Sequence, residues 1–247
     1  MTKHNAKQDI KSAPIFNGLS DNEKDDMLNA GKVRSLNKGE FLFLHGEQIT
    51  HFYIICSGVI QIFRNNSDGT EKTLHLLTAQ NTICESEICE SCTAHQFHAM
   101  AVQDAIIIAF PKKWLRESIG KYADFSFNIL SIISHRIQMM ELEAEHLAIM
   151  SVTQMVACFL EKLCLNYKFN PSGFKLPYSK KLIASRLGIE VETLSRTLLK
   201  LKDYGIIVTG SMVTINNFCK LEQQVCAHCS VKQDCPIYQN LQKKCMV

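Results

Sequence analysis

Several features of exported and membrane proteins are missing from this sequence of 247 residues. The N-terminal stretch from Met1 to Ile10 is polar and lacks the apolar core of a secretory signal. No apolar run is long enough to span a bilayer. We therefore expect a soluble, cytoplasmic protein without a membrane partner. Its hydrophobic content of 46% allows a buried core in one or two domains.

A strong charge of one sign is also missing, since the formal net charge is only +3. That value is too small to indicate nucleic-acid binding by itself. The charges are unevenly distributed, however, and between Ser179 and Asp203 basic side chains outnumber acidic ones. The candidate phosphate-binding residues of this stretch are Lys180, Lys181, Arg186 and Lys200. Because the sequence has no convincing nucleophile–base pair or phosphate-binding loop, we do not expect an enzyme.

Cysteine, in contrast, is abundant, with eleven residues. In a chain of this length without a secretory signal, metal or redox roles are favoured over disulfides. Cys226, Cys229 and Cys235 have the spacing Cys-x2-Cys-x5-Cys near the C-terminus. Thiolates are strong, soft ligands, so three such neighbours can converge on one metal centre.

The first half of the chain has the pattern of a small β domain. Short β-branched and aromatic runs are separated by turns between residues 17 and 110, and Asp68-Gly69 is a strong hairpin signal. Strands at such even spacing predict a sandwich or barrel.

A heptad pattern follows the β domain. Apolar side chains at alternating steps of three and four predict a helix that pairs with another helix, with the dimer seam Leu130, Ile133, Ile137, Met140, Ala144 and Leu147. The alternative is an amphipathic helix packed on its own domain through Ile129, Ile132 and Leu142.

Residues 179–216 predict a DNA-binding unit. Two helices around Gly188 form a helix-turn-helix, and a hairpin over residues 204–216 forms a wing. Glu192, Ser195 and Arg196 share one face of the second helix. Arg can donate to guanine, Glu can accept from cytosine, and Ser can contact a neighbouring base. The alternative is a solvated helix face with an incidental Glu–Arg pair.

With these motifs in place, the chain resembles the Crp/Fnr family of regulators over about residues 15–217. The sequence from Val191 to Arg196, VETLSR, resembles the recognition helix of the Fnr branch. The resemblance implies an α+β fold with a cyclic-nucleotide-binding-like β-roll, or jelly roll, a long dimerisation helix and a C-terminal winged helix-turn-helix. It also implies a homodimer that binds double-stranded DNA with TTGAT-like half-sites, and RNA polymerase as a further partner. One departure is Glu190, where relatives usually have a small capping residue.

The corresponding division of the chain has four parts. We expect a β-roll at residues 1–122, a dimerisation helix at 123–150, a winged helix-turn-helix at 151–218 and a cysteine-rich segment at 219–247.

Cyclic AMP binding is not expected, because a cyclic phosphodiester needs a cationic clamp, usually Arg. The sequence has no Arg between Asn65 and Leu115. Glu85 stands where the family binds ribose, but nothing in this stretch can hold the phosphate.

The resemblance also bears on the C-terminal cysteines. Some Fnr-type regulators hold a C-terminal [4Fe–4S] cluster with three Cys ligands and a carboxylate from the dimer helix. Here that implies Cys226, Cys229 and Cys235. The fourth ligand is open, and its candidates are Glu145, Glu143, Glu141, Cys245 and Cys219. Structural zinc with His228 or Cys245, or a redox disulfide, are the alternatives.

A second group of cysteines, Cys84, Cys89 and Cys92, lies in the β domain. We interpret it as buried or incidental rather than as a metal site. His95 and His98 are interpreted as surface or loop histidines. The alternative to the iron–sulfur hypothesis is a regulator that senses haem or a small molecule in the β-roll.

Overall fold

The computed structural model describes residues 5–85, 92–166, 173–216 and Cys235. The chain divides into two compact units, Met1–Gln138 and Met139–Val247. The boundary falls within the helix Ala123–Ile149, the longest helix among the described residues. The finer division into four parts stays a prediction.

The first unit contains two four-stranded antiparallel sheets, with strand orders β1-β8-β3-β6 and β2-β7-β4-β5. The interleaved order is that of a β-roll and confirms the predicted fold class. The strands are β1 (Lys32–Leu36), β2 (Phe41–Phe43), β3 (His51–Ser57), β4 (Ile60–Asn65), β5 (Glu71–Leu77), β6 (Thr82–Ile83), β7 (His98–Ala101) and β8 (Ala105–Pro111).

The predicted turn at Asp68-Gly69 joins β4 to β5. Gly69 has a φ of 81°, a backbone conformation that side chains with a Cβ rarely adopt. A carboxylate oxygen of Asp68 accepts a hydrogen bond from the backbone N–H of Thr70 at 2.9 Å. Asp and Gly therefore stabilise this turn in different ways, as the sequence pattern indicates.

Helices in the described part of the first unit flank its strands. They are α1 (Ala6–Asp9), α2 (Asp21–Asn29), α3 (Lys112–Lys121) and the first part of α4 (Ala123–Ile149), with two 3-10 turns at Ile10–Ser12 and Pro14–Phe16. Aromatic rings fill the core, and Phe52, Phe110 and Phe125 are fully buried. Trp114 of α3 stacks on Phe110 with ring centroids 4.3 Å apart.

Helix α4 distributes its apolar side chains between two surfaces. Ile129 is buried in the core of the first unit, and Ile132 packs against that core, as the alternative in the sequence expects. Ile133, a member of the predicted seam, is partly buried and also packs against this core. The seam itself stays a prediction. The other large seam residues are each more than half exposed, namely Leu130, Ile137, Met140 and Leu147.

The described residues of the second unit form helices, a 3-10 turn and a small sheet. They are the rest of α4, α5 (Val152–Asn166), α6 (Lys180–Leu187), α7 (Val191–Lys200), a 3-10 turn at Leu201–Tyr204, and the strands β9 (Phe174–Lys175), β10 (Ile206–Thr209) and β11 (Met212–Ile215). The sheet is antiparallel with the order β10-β11-β9. Helices α6 and α7 followed by this hairpin form the predicted winged helix-turn-helix.

Two local signals set the geometry of the helix-turn-helix. The hydroxyl oxygen of Ser179 accepts a hydrogen bond from the backbone N–H of Leu182 and caps α6. Gly188 ends α6 in the left-handed region with a φ of 66°. Both signals are visible in the sequence.

Among the described residues, no helix combines the length and apolarity required to cross a membrane.

An ion pair inside the first unit joins the β-roll to α4. The Nη1 atom of Arg136 lies 2.5 Å from Oε1 of Glu85, which is fully buried. The Nη2 atom donates to the Thr82 carbonyl oxygen at 3.3 Å. Neither oxygen of Glu85 has hydrogen-bond geometry with a described residue, so the contact is mainly electrostatic. Glu85 therefore depends on Arg136 for charge compensation.

Replacement of Arg136 by Met should destabilise the first unit. The change leaves the Glu85 carboxylate buried without its counter-charge, and we expect a loss of about 3 kcal/mol in the free energy of unfolding. The double variant Glu85→Gln/Arg136→Met should recover part of this loss, because the charge is removed with its partner. Urea unfolding followed by circular dichroism measures both. An equal loss in the single and double variants would contradict the role of the ion pair.

Candidate DNA-binding surface

Helix α7 presents a polar face to solvent. Val191, Glu192, Ser195 and Arg196 line one open groove of about 550 Å³. The structure therefore brings together the three side chains that the sequence assigned to base contacts. It adds Val191, which the sequence analysis did not assign to the surface.

The opposite face of α7 is buried in the core of the second unit. Leu194 and Leu198 lie in that core together with Ile183, Val213 and Leu201. Thr197 is also buried, and its hydroxyl donates to the Thr193 carbonyl oxygen at 2.8 Å. Burial of this face leaves Glu192 and Arg196 exposed.

The N-terminus of α7 is not capped by a side chain. Glu190 occupies the N-cap position with an extended backbone, and its side chain makes no capping hydrogen bond. Its position confirms that the departure noted in the sequence falls on the cap itself. The carboxylate favours the helix dipole, but it repels a phosphate that approaches the same N–H groups.

The candidate phosphate contacts fall into two groups. Lys180, Lys181 and Lys200 are exposed, so their ammonium groups can reach a polyanion. Arg186 is different, because its Nη2 atom forms a close ion pair with Oε1 of Glu143 on α4. A phosphate contact by Arg186 would compete with this contact inside the second unit.

The ion pair also bears on the candidate cluster ligands of α4. Glu143 is engaged by Arg186, Glu145 is half-buried and Glu141 is exposed. Burial lowers the pKa of the neighbouring His146, and the charge of Lys162 lowers it further. Glu145 and Glu143 oppose this shift. The three carboxylates therefore differ in environment, and Glu143 is paired with a guanidinium group.

Of the predicted thiol ligands, the structure describes only Cys235. It is half-buried and packs against the core of the second unit. The other candidate ligands lie outside the described residues, namely Cys226, Cys229, Cys219, Cys245 and His228. Within residues 5–85, 92–166 and 173–216 and at Cys235, no group of three His, Cys, Asp or Glu side chains could hold a metal ion. The cluster and its fourth ligand stay predictions.

The structure describes two of the three cysteines in the second group. Cys84 is buried and Cys92 half-buried, whereas Cys89 lies outside the described residues. The Sγ atom of Cys84 lies 3.7 Å from Nδ1 of His95. His95 lies in the loop before β7 and is buried, and its ring stacks on Phe43 with centroids 3.6 Å apart.

His98 also has a packing role. The backbone N–H of His45 donates to its Nδ1 atom at 3.2 Å, and its ring stacks on Phe63 with centroids 5.1 Å apart. Both histidines therefore pack against aromatic rings of the first unit.

Comparison with known protein families gives two matches. The cyclic nucleotide-binding domain matches residues 33–122, and the Crp-like helix-turn-helix domain matches residues 154–224. They cover the β-roll and the winged helix-turn-helix.

Two curated relatives have similar sequences over most of their length. The chain is 27% identical over 213 residues to the anaerobic regulatory protein of Aggregatibacter actinomycetemcomitans, covering 82% of this chain and 80% of the relative. It is 26% identical over 201 residues to the cyclic AMP receptor protein of Thermus thermophilus, covering 81% and 91%.

Solved structures share the fold. FixK2 from Bradyrhizobium japonicum superposes with a TM-score of 0.68 at 19% identity, over 78% of this chain and 96% of the other. The c-di-GMP responsive global regulator CLP of Xanthomonas campestris superposes with a TM-score of 0.70 at 18% identity, over 80% and 100%.

Reversal of one charge in the ion pair between Arg186 and Glu143 should destabilise the second unit. Because both side chains are partly exposed, we expect Arg186→Glu to lower the free energy of unfolding by about 1 kcal/mol. The swapped variant Glu143→Arg/Arg186→Glu should recover most of it in thermal unfolding. Lys181→Glu is the matched control, because it makes the same charge change at an exposed position of α6. A swap that recovers nothing would contradict the pairing.

Proposed function

The chain belongs to the Crp/Fnr family of DNA-binding transcription regulators, and we propose that it acts as a homodimer on an inverted repeat with TTGAT-like half-sites. Proteins of this family are transcription regulators, not enzymes. The observation that carries the proposed specificity is the groove on α7, where Glu192, Ser195 and Arg196 meet.

The base contacts follow from the chemistry of this groove. Arg196 is exposed and can donate two hydrogen bonds to O6 and N7 of guanine. Glu192 can accept from N4 of cytosine, and the hydroxyl of Ser195 can contact a neighbouring base. Recognition helices place their N-terminal residues against base edges, and Glu192 and Ser195 lie in the first half of α7.

The exposed face of α4 supports the homodimer. Leu130, Ile137, Met140 and Leu147 repeat at heptad spacing and are exposed in the single chain. Phe127 is 70% exposed and was missed in the sequence. It precedes Leu130 by three residues, so it lies beside this face and not on the heptad repeat itself. A second copy of α4 would cover these side chains, as heptad seams do in coiled coils. Two recognition helices then match the two half-sites of an inverted repeat.

A C-terminal [4Fe–4S] cluster is the proposed sensor. The donor set fits this group, because three thiols at the spacing of Cys226, Cys229 and Cys235 can supply the thiolates that such clusters require. A bound cluster would supply iron–thiolate bonds that are labile to oxygen or nitric oxide.

Cys235 supports a link between that site and DNA binding. Its side chain packs against the core that also buries Leu194 and Leu198 of α7. A cluster ligand at this position is therefore part of the DNA-binding unit. Curated relatives named anaerobic regulatory protein favour oxygen as the signal. In the cytoplasm, the regulator would act on RNA polymerase at its target promoters.

Replacement of Arg196 tests the DNA-binding proposal. Arg196→Ala should weaken binding to a TTGAT-type duplex by about 1–3 kcal/mol and relax the preference for its guanine position. Lys200→Ala is the control. Loss of a phosphate contact should weaken binding to all duplexes alike, and it should reduce the slope of log affinity against log salt concentration by about one. Fluorescence anisotropy at several salt concentrations measures both. An equal loss on specific and unrelated duplexes for Arg196→Ala would contradict base recognition.

Anaerobic purification tests the sensor. We expect a brown protein that contains iron and sulfide, loses its colour in air and then binds the specific duplex more weakly. Cys235→Ser should remove the colour, because one thiolate ligand is lost. Cys92→Ser, a change at another half-buried thiol, should keep it. A colourless protein that contains zinc would contradict the iron–sulfur sensor and favour a structural zinc tail with ligand sensing in the β-roll.

A further inference from the structure

Cys84 and His95 form a buried thiol–imidazole pair in the β-roll, outside the candidate DNA-binding surface. The Sγ atom of Cys84 lies 3.7 Å from Nδ1 of His95. The two residues are 6% and 2% exposed, respectively. A thiol is a potential nucleophile and an imidazole is a base, so this contact has the chemistry of an activated cysteine.

Three contacts hold His95 in place. Its backbone N–H donates to the carbonyl oxygen of Glu47 at 2.8 Å, and its own carbonyl oxygen accepts from the N–H of Gly46 at 2.9 Å. Its ring stacks on Phe43 with centroids 3.6 Å apart. A base that other groups hold next to a nucleophile is the arrangement that activates cysteine in proteins.

The backbone does not explain a cysteine at position 84. Cys84 has a φ of 75°, in the region of positive φ that favours glycine. A cysteine in this conformation is strained, whereas a glycine would adopt it freely. We therefore attribute the presence of this side chain to the contact between its thiol and His95.

Cys56 shows the effect of burial on a thiol in the same core. It is 7% exposed, and burial raises its pKa to about 12, with a further contribution from the negative charge of Asp9. Such a thiol stays protonated at neutral pH, and the protonated form is a poor nucleophile. Cys84 differs because His95 can take its proton and leave a thiolate.

Burial also limits which reagents can react with Cys84. A side chain with 6% of its surface exposed can be reached by a small neutral molecule more easily than by a bulky or charged one. Hydrogen peroxide is small and neutral, and peroxides oxidise thiolates to sulfenic acids. It therefore matches both the chemistry and the burial of the pair.

We propose that Cys84 is a site of oxidation by hydrogen peroxide, with His95 as its base. The thiolate sulfur attacks one oxygen of the peroxide, so that an S–O bond forms and the O–O bond breaks. The second oxygen leaves as water with the proton that His95 took from the thiol. Cys84 is thereby oxidised to a sulfenic acid, and the peroxide is reduced to water.

The site is separate from the C-terminal cysteines and from the residues assigned to DNA. It adjoins the ion pair of the first unit, because Glu85 follows Cys84 directly and pairs with Arg136 on α4. Oxidation would thus add a polar oxygen one residue away from the contact that joins the β-roll to this helix.

Competition between Cys84 and Cys56 in one sample tests the proposal. The full-length protein is exposed to hydrogen peroxide for increasing times, unfolded with dimedone to trap sulfenic acids, and digested for mass spectrometry. We expect Cys84 to be labelled about a hundredfold faster than Cys56, the lower end of what a positioned base contributes. A rate at Cys84 no greater than that at Cys56 would overturn the proposal.

His95→Gln tests the base, because glutamine is polar but cannot take the proton. The rate at Cys84 should fall, whereas the rate at Cys56 should stay the same. An unchanged rate at Cys84 would show that His95 is not its base and would also overturn the proposal. If the rate at Cys56 rises, the variant has loosened the core, and the competition in the unmodified protein decides alone.

His98→Gln is the matched control for this variant. His98 also stacks on an aromatic ring, but its Nδ1 atom accepts from the backbone N–H of His45. This control should keep the fast rate at Cys84. An equal fall in both variants would contradict a specific role of His95.

Discussion

Burial of the leucines of α7 determines how the second unit can meet DNA. Leu194 and Leu198 lie in its core, and successive side chains of a helix are separated by about 100° around its axis. With these two positions buried, α7 cannot rotate without exposing apolar surface. Glu192 and Arg196 must therefore face solvent together. The chemistry of the groove is thus a consequence of packing on the other side of the helix.

Two ion pairs give α4 a second role besides its apolar face. Arg136 compensates the buried carboxylate of Glu85 in the first unit, and Glu143 pairs with Arg186 in the second. The first pair engages the carboxylate that the family resemblance assigns to ribose binding. The second pair engages one of the carboxylates that could complete a cluster. Charges on α4 thus have partners in both units.

Periodicity and turn chemistry made most of the fold predictable. The hairpin at Asp68-Gly69, the cap at Ser179 and the turn at Gly188 depend on local backbone preferences, and all three are found in the structure. Contacts between distant residues were not predictable in this way. His95 was interpreted as a surface or loop histidine, and it lies in the loop before β7 with its ring buried against Phe43. Ile133 was assigned to the seam and also packs against the core of the first unit.

The sequence by itself determined the types of helices and strands, the polar face of α7 and the thiols available to a metal, because each depends on the spacing of residues along the chain. Only the tertiary structure decided which charges pair, since Arg186 and Glu143 are separated by 43 residues. It also placed Val191 in the groove beside Glu192. Exposure of a single apolar side chain depends on what packs around it, and spacing along the chain does not determine those contacts.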